Sequence, residues 1–297
     1  MRLCGSGTLS DNNSCPLENC PCALRVFSMI LGTGDIERFH RHVIQQGAPK
    51  DHFAVDAITL AAAVELACIR YWADTNGLAS RVAVKARPQS IWALLESSGW
   101  PSAKHGVELS SGGILLRTFV NRPTDSEWRP FFYATREKLA GAGFSIDASR
   151  AIAGAFGEMA NNVWDHSMSE HAGLLAFHVD HERVTFCIAD VGVGVLQSLR
   201  QNPQLASLKT STAALSTALK DGVSRFGGQG RGYGFSDLIR GVANQWGISR
   251  LRTGEAKAVL DHTTDQRRRH TSYLPFLPGL QVTFSCGKHA PTSQVLI

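Results

Sequence analysis

Phe156-Gly157-Glu158-Met159-Ala160-Asn161-Asn162-Val163-Trp164-Asp165-His166-Ser167 is the stretch on which the reading of this chain turns. An α-helix advances about 100° per residue, so positions four apart stay near one line. Glu158, Asn162 and His166 therefore share a row, with Asp165 beside it. Ile152, Phe156, Met159 and Val163 form an apolar stripe roughly a quarter-turn away. The polar row runs along the edge of a core, where a cleft would lie.

Two glycine-bearing segments follow: Asp190-Val191-Gly192-Val193-Gly194, then Gly228-Gln229-Gly230-Arg231-Gly232-Tyr233-Gly234. Asp190 closes the apolar run Thr185-Phe186-Cys187-Ile188-Ala189, which has the character of a strand. A carboxylate there can accept a hydrogen bond from an exocyclic amine such as adenine offers. Gly192 and Gly194 allow a tight turn and a close backbone approach to a flat base. Gly230, Gly232 and Gly234 precede a helical pattern, and bare N–H groups at a helix start suit phosphate. Gly227 and Gly228 lengthen that loop, and Arg225 and Arg231 are candidates to reach phosphate oxygens. The loop lacks the preceding strand of a dinucleotide fingerprint and the Lys-Ser/Thr of a P-loop.

Each segment has a plain alternative: the polar edge of an amphipathic helix, an Asp-x-Gly turn, a flexible loop. Together, in this order, they describe a site for ATP and magnesium. Magnesium takes oxygen ligands and keeps several waters, so the single carbonyl of Asn162 suffices as a protein ligand. Glu158, one turn earlier, can take a proton from an attacking water or hydroxyl.

Composition is compatible with that reading. The 297 residues allow two modest domains, and an apolar fraction of 43% is ordinary for a globular chain. The expected setting is cytoplasmic: there is no long apolar run, no signal-like start, and an odd count of seven cysteines. Cys68, Cys187 and Cys286 fall in expected core segments. Cys15, Cys20 and Cys22 lack the second pair that a zinc site needs. The net charge of +5 tolerates a nucleotide without demanding nucleic acid. Arg267-Arg268-Arg269-His270 reads as a solvated loop between strands.

The chain divides into a tail over 1–23 that is expected to be disordered, a small α/β unit over 24–125 and a larger, nucleotide-binding unit over 126–297. Helices are expected at Ile36–Gln46, Leu60–Asp74, from Pro88 to about Ser98, and at Trp128–Ala140. Another, capped by Asp147, carries the Glu158–His166 row. Strands are expected at Phe53–Ile58, Arg81–Lys85, Gly113–Phe119, Gly173–Asp180, Arg183–Asp190, Ile248–Thr253 and Gln281–Cys286. Asn121 to Glu127 is the expected boundary. The fold class is α/β in the broad sense, an α+β sandwich with helices layered on a sheet.

These motifs resemble those of the GHKL superfamily: gyrase-type topoisomerases, heat-shock chaperones, mismatch-repair ATPases, histidine kinases and anti-sigma-factor serine kinases. Glu158–His166 resembles its N box, Asp190–Gly194 its G1 box and Gly228–Gly234 its G2 box, so the likeness covers about residues 126–297. It implies a Bergerat-type sandwich with ATP held beneath a mobile lid. Asn162 would then hold magnesium, Asp190 the adenine amine and Gly230–Gly234 the phosphates, with Glu158 as the general base. Family members often carry Gly-Thr on the late strand, and here Gly279 is followed by Leu280. The first unit, over roughly 50–105, is similar in pattern to STAS-like regulatory domains. ATP hydrolysis or phosphoryl transfer in signalling is the resulting expectation, with a partner-binding nucleotide switch as the alternative. A protein partner and a homodimer are compatible with it. His40 and His42 are candidates for a histidine autokinase but lack the surroundings of its phosphoacceptor motif.

Overall fold

The computed structural model describes residues 31–45, 53–55, 57–82, 84–86, 90–102, 106–111, 113–119, 124–167, 173–220, 247–263 and 268–288. The 1–23 tail, with Cys15, Cys20 and Cys22, lies outside them, as does the glycine loop Gly228–Gly234 with Arg225 and Arg231.

Six strands form one open antiparallel sheet. They are β3 (Glu108–Ser111), β4 (Ile114–Phe119), β5 (Gly173–Val179), β6 (Arg183–Ala189), β7 (Gly247–Asp261) and β8 (Arg268–Gly287), ordered β3-β4-β5-β6-β8-β7. A separate parallel pair joins β1 (Phe53–Val55) to β2 (Val84–Ala86). Seven α-helices accompany them among the described residues: α1 (Thr33–Gln45), α2 (Leu60–Thr75), α3 (Ile91–Ser97), α4 (Asp125–Gly141), α5 (Ile146–His166), α6 (Gly194–Leu199) and α7 (Ser211–Ala218). The result is an α+β fold.

Side-chain alternation gives the sheet two buried faces. Leu175, Phe177, Val184, Phe186 and Ile188 join α4 to α7 in one core through Phe131, Ile152, Phe156, Met159, Val195 and Leu215. Leu174, Ala176, Cys187 and Ala189 point the other way, against Ile36, Phe39, Leu66, Ile69 and Trp92 of α1 to α3. Strands covered on both faces read as near-continuous apolar runs. Leu174-Leu175-Ala176-Phe177 is such a run. Each large apolar side chain so buried contributes about 1.5–3 kcal/mol. β3 and β4 precede the Asn121–Glu127 segment, yet β4 is hydrogen-bonded to β5 along its whole length. The first half of the chain thus supplies two strands and a helical layer to this sheet.

α2 is apolar around most of its circumference, as befits a helix that packs between the sheet and its neighbours. Thr59 caps it, its hydroxyl accepting from Ala62 N at 3.3 Å. Several expectations are corrected. α3 starts three residues after Pro88, where the Ser90 hydroxyl accepts from Ala93 N. α5 is capped by Ser145, which accepts from Ala148 N at 3.2 Å, and Asp147 lies inside its first turn. Arg268 to His270 belong to β8 rather than to a loop, paired with Asp261, Leu260 and Val259. β7 and β8 both run well beyond the short strands expected.

The face toward α1 and α2 carries charge in its interior. Arg250 Nη2 of β7 pairs with Glu37 Oε1 at 2.8 Å and Glu65 Oε2 at 2.6 Å. Arg252 pairs with the other oxygen of Glu65 and donates to Pro275 O at 3.0 Å. Lys257 Nζ bridges both oxygens of Glu37, at 2.7 and 2.8 Å. Burial alone would raise the Glu37 carboxyl, but these cations outweigh it and hold it below its ordinary value. Arg252 Nη2 also faces His40 Nδ1 at 3.1 Å. A guanidinium has no acceptor, so Nδ1 accepts. Burial, and then the Arg252 charge, pushes His40 down to about 3. His40 is a neutral core group, fully enclosed, and unavailable as a phosphoacceptor.

Candidate functional site

The end of α5 and the turn after β6 meet. His166 is the last helical residue, and Ser167 O accepts from Val193 N at 2.9 Å. The backbone of α5 therefore carries Glu158, Asn162, Asp165 and His166 on the helix that abuts the Asp190 turn. The side chains of those four residues lie outside the described set. The apolar stripe beside them behaves as read: Ile152, Phe156 and Met159 are buried. The end of the helix that carries the polar row thus lies against the aspartate turn; the side chains of that row and the glycine loop are outside the described residues.

Asp190 is 2% exposed. Its Oδ1 accepts from Gly192 N at 2.7 Å, and its own N–H donates to Leu280 O at 2.9 Å. Burial pushes the carboxyl up to about 7, against the opposing pull of the N–H groups of Gly192 and Leu280. A carboxyl raised in the folded state contributes stability that is complete below its ordinary value of 3.8. That contribution is lost as pH rises through about 7. Asp190→Asn removes the ionisation and keeps an acceptor. It should gain stability over wild type at pH 8, by on the order of a few kcal/mol, and much less at pH 4. Urea midpoints at the two pH values test this, and a difference that does not change with pH would refute it.

The glycines of this turn are required by the protein itself. A Cβ on Gly192 would collide with Ser167 O, and one on Gly194 would lie 2.8 Å from Thr253 Oγ1. The close approach expected toward a flat base is here made to Ser167 and Thr253.

Three residues outside the expected set of site residues complete the turn. Gly279 has φ +75°, and its missing side chain leaves room for the Asp190 carbonyl. Leu280, where the resemblance leads one to look for threonine, is buried and offers its backbone to Asp190. The hydroxyl near this point comes from β7: Thr253 Oγ1 accepts from Val195 N at 3.0 Å and donates to Gly279 O at 2.8 Å. Gly254, directly after Thr253, was the one available sign of an interruption there.

Among the described residues no three His, Cys, Asp or Glu side chains gather as a metal-binding group. None of the described helices is long and apolar enough to cross a membrane. Cys68, Cys187 and Cys286 are buried free thiols, with Cys187 and Cys286 pushed up to about 12, chiefly by burial. Compared with protein-family models, curated proteins and solved structures, the chain matches none.

Proposed function

We propose that the protein binds magnesium-ATP between α5 and the Asp190 turn, in the manner of the GHKL ATPases that its motifs resemble. The observation that carries this reading is the enclosed Asp190 carboxylate at the end of β6, joined through Val193 N to the end of the helix bearing Asn162. A buried acceptor that pays for its own desolvation fits an amine donor, which would favour the ionised form. In this reading Asn162 holds magnesium, Gly230–Gly234 with Arg231 meet the phosphates, and Glu158 accepts the proton of the attacking water or hydroxyl. Magnesium would neutralise charge on the phosphates as the transfer proceeds.

The test is ATP binding and turnover by purified protein. Asn162→Ala is expected to abolish magnesium-dependent binding. Glu158→Ala is expected to bind ATP and lose turnover, and unchanged turnover would remove Glu158 from the base position. Asp190→Asn is expected to weaken the preference for adenine over guanine.

A second reading, a nucleotide-dependent switch acting on a protein partner with little turnover, draws on one further observation. β7 carries Thr253 toward the proposed site and Arg250 and Arg252 toward α1 and α2. The N-terminal layer and the site therefore share a strand. Binding without turnover in wild type would favour this reading.

A further inference from the structure

The ladder between β7 and β8 breaks beside the proposed site. Thr253 is paired with Leu280, but its neighbour Gly254 is paired with Leu277. Pro278 and Gly279 are thus left without partners on β7, and they bulge toward the turn after β6. There the Gly279 backbone presses against the carbonyl of Asp190. A bulge of this kind re-aims the chain locally and needs something to hold it.

Resting on the reading of Asp190 as the adenine-facing group, we infer that Thr253 is a positioning residue for the nucleotide site. Its single hydroxyl ties together three segments: β7 by its own backbone, β8 through Gly279 O, and the start of α6 through Val195 N. It is 2% exposed, so no water can stand in for it as the protein is packed. The clamp fixes the span from Gly192 to Gly194 against Gly279, and that span sets how the Asp190 carboxylate is presented. Valine has the same outline, but it would leave a buried donor and a buried acceptor unpaired and free the turn to shift. Serine keeps both hydrogen bonds.

The experiment compares Thr253→Val, Thr253→Ser and Thr253→Ala with wild type, using ATP and GTP with magnesium as probes. Thr135→Val is the control, because it deletes another buried hydroxyl hydrogen bond, to Phe131 O within α4. Thr253→Val is expected to bind ATP about tenfold more weakly, the equivalent of one lost buried hydrogen bond. It should also narrow the ATP-over-GTP preference. Thr253→Ser should restore both. Thr135→Val should lower the melting temperature and leave affinity and preference unchanged. If Thr253→Val does not fold, Thr253→Ala supplies the same comparison. Faster amide exchange at Val195 in the Val or Ala variant reports the clamp without any ligand. Wild-type affinity and preference in a folded Thr253→Val or Thr253→Ala protein would overturn the inference and leave the nucleotide reading standing. Failure of wild type to bind either nucleotide would instead overturn the nucleotide reading, and the positioning role with it.

Discussion

Glu65→Ala is expected to destabilise the protein by about 3–5 kcal/mol, the range for removing one partner of a buried ion pair. Glu65 is fully enclosed on α2 and faces both Arg250 and Arg252. Arg250 would keep Glu37. Arg252 would be left with two neutral acceptors, His40 Nδ1 and Pro275 O. Burial already lowers Arg252 to about 10, yet it stays charged at neutral pH and has nowhere to discharge. The cost is therefore a buried charge left with only the more distant Glu37 to oppose it, rather than a lost attraction. It follows that Glu65→Leu combined with Arg252→Met should be more stable than either single variant. Urea unfolding of the singles and the double decides the matter. A Glu65→Ala midpoint near that of wild type would show that water reaches Arg252.

Gly279→Ala is the second change expected to have a large effect. Alanine at φ +75° costs about 1–2 kcal/mol for the left-handed backbone. Its Cβ would also fall inside the radius of the Asp190 carbonyl, and overpacking of this kind adds about 1–3 kcal/mol. Gly77 separates the two terms: its φ is +71°, but a Cβ there meets nothing within 4 Å. Gly77→Ala should therefore show the backbone cost alone. Equal losses of melting temperature in the two variants would mean that the β8 bulge yields freely to the added methyl. A larger loss at Gly279, accompanied by weaker ATP binding, is the expected result.

The helices were legible where apolar residues recur with helical spacing. α2 and the buried stripe of α5 needed nothing beyond Ile152, Phe156, Met159 and the Ala-rich run from Leu60. Ends were less legible, because several polar residues compete for one cap. Asp147 and Pro88 are the local start signals, but Ser145 and Ser90 hold the caps. The long strands β7 and β8 exceed the expected Ile248–Thr253 and Gln281–Cys286, and Gly254, Pro275 and Pro278 within them have the character of terminators. In the folded chain Gly254 and Pro278 instead mark a bulge inside a continuing ladder. The placement of Asp190 at the end of a strand, and of the polar row on a helix, could be read from local spacing. The role of Thr253 and the contact of Gly279 with Asp190 could not, since they arise from a turn far away in sequence. The same holds for Glu37, Glu65, Arg250 and Arg252, whose pairings join opposite ends of the chain.

That last arrangement bears on how the protein can be taken apart. A cut at residue 125 would strip β4 from β5, bare the apolar face that α2 covers, and part both glutamates from both arginines. Neither fragment would keep a closed interior. Expressed alone, the 126–297 piece should aggregate, and co-expression with the 24–125 piece should rescue it by complementation, as two halves of one core.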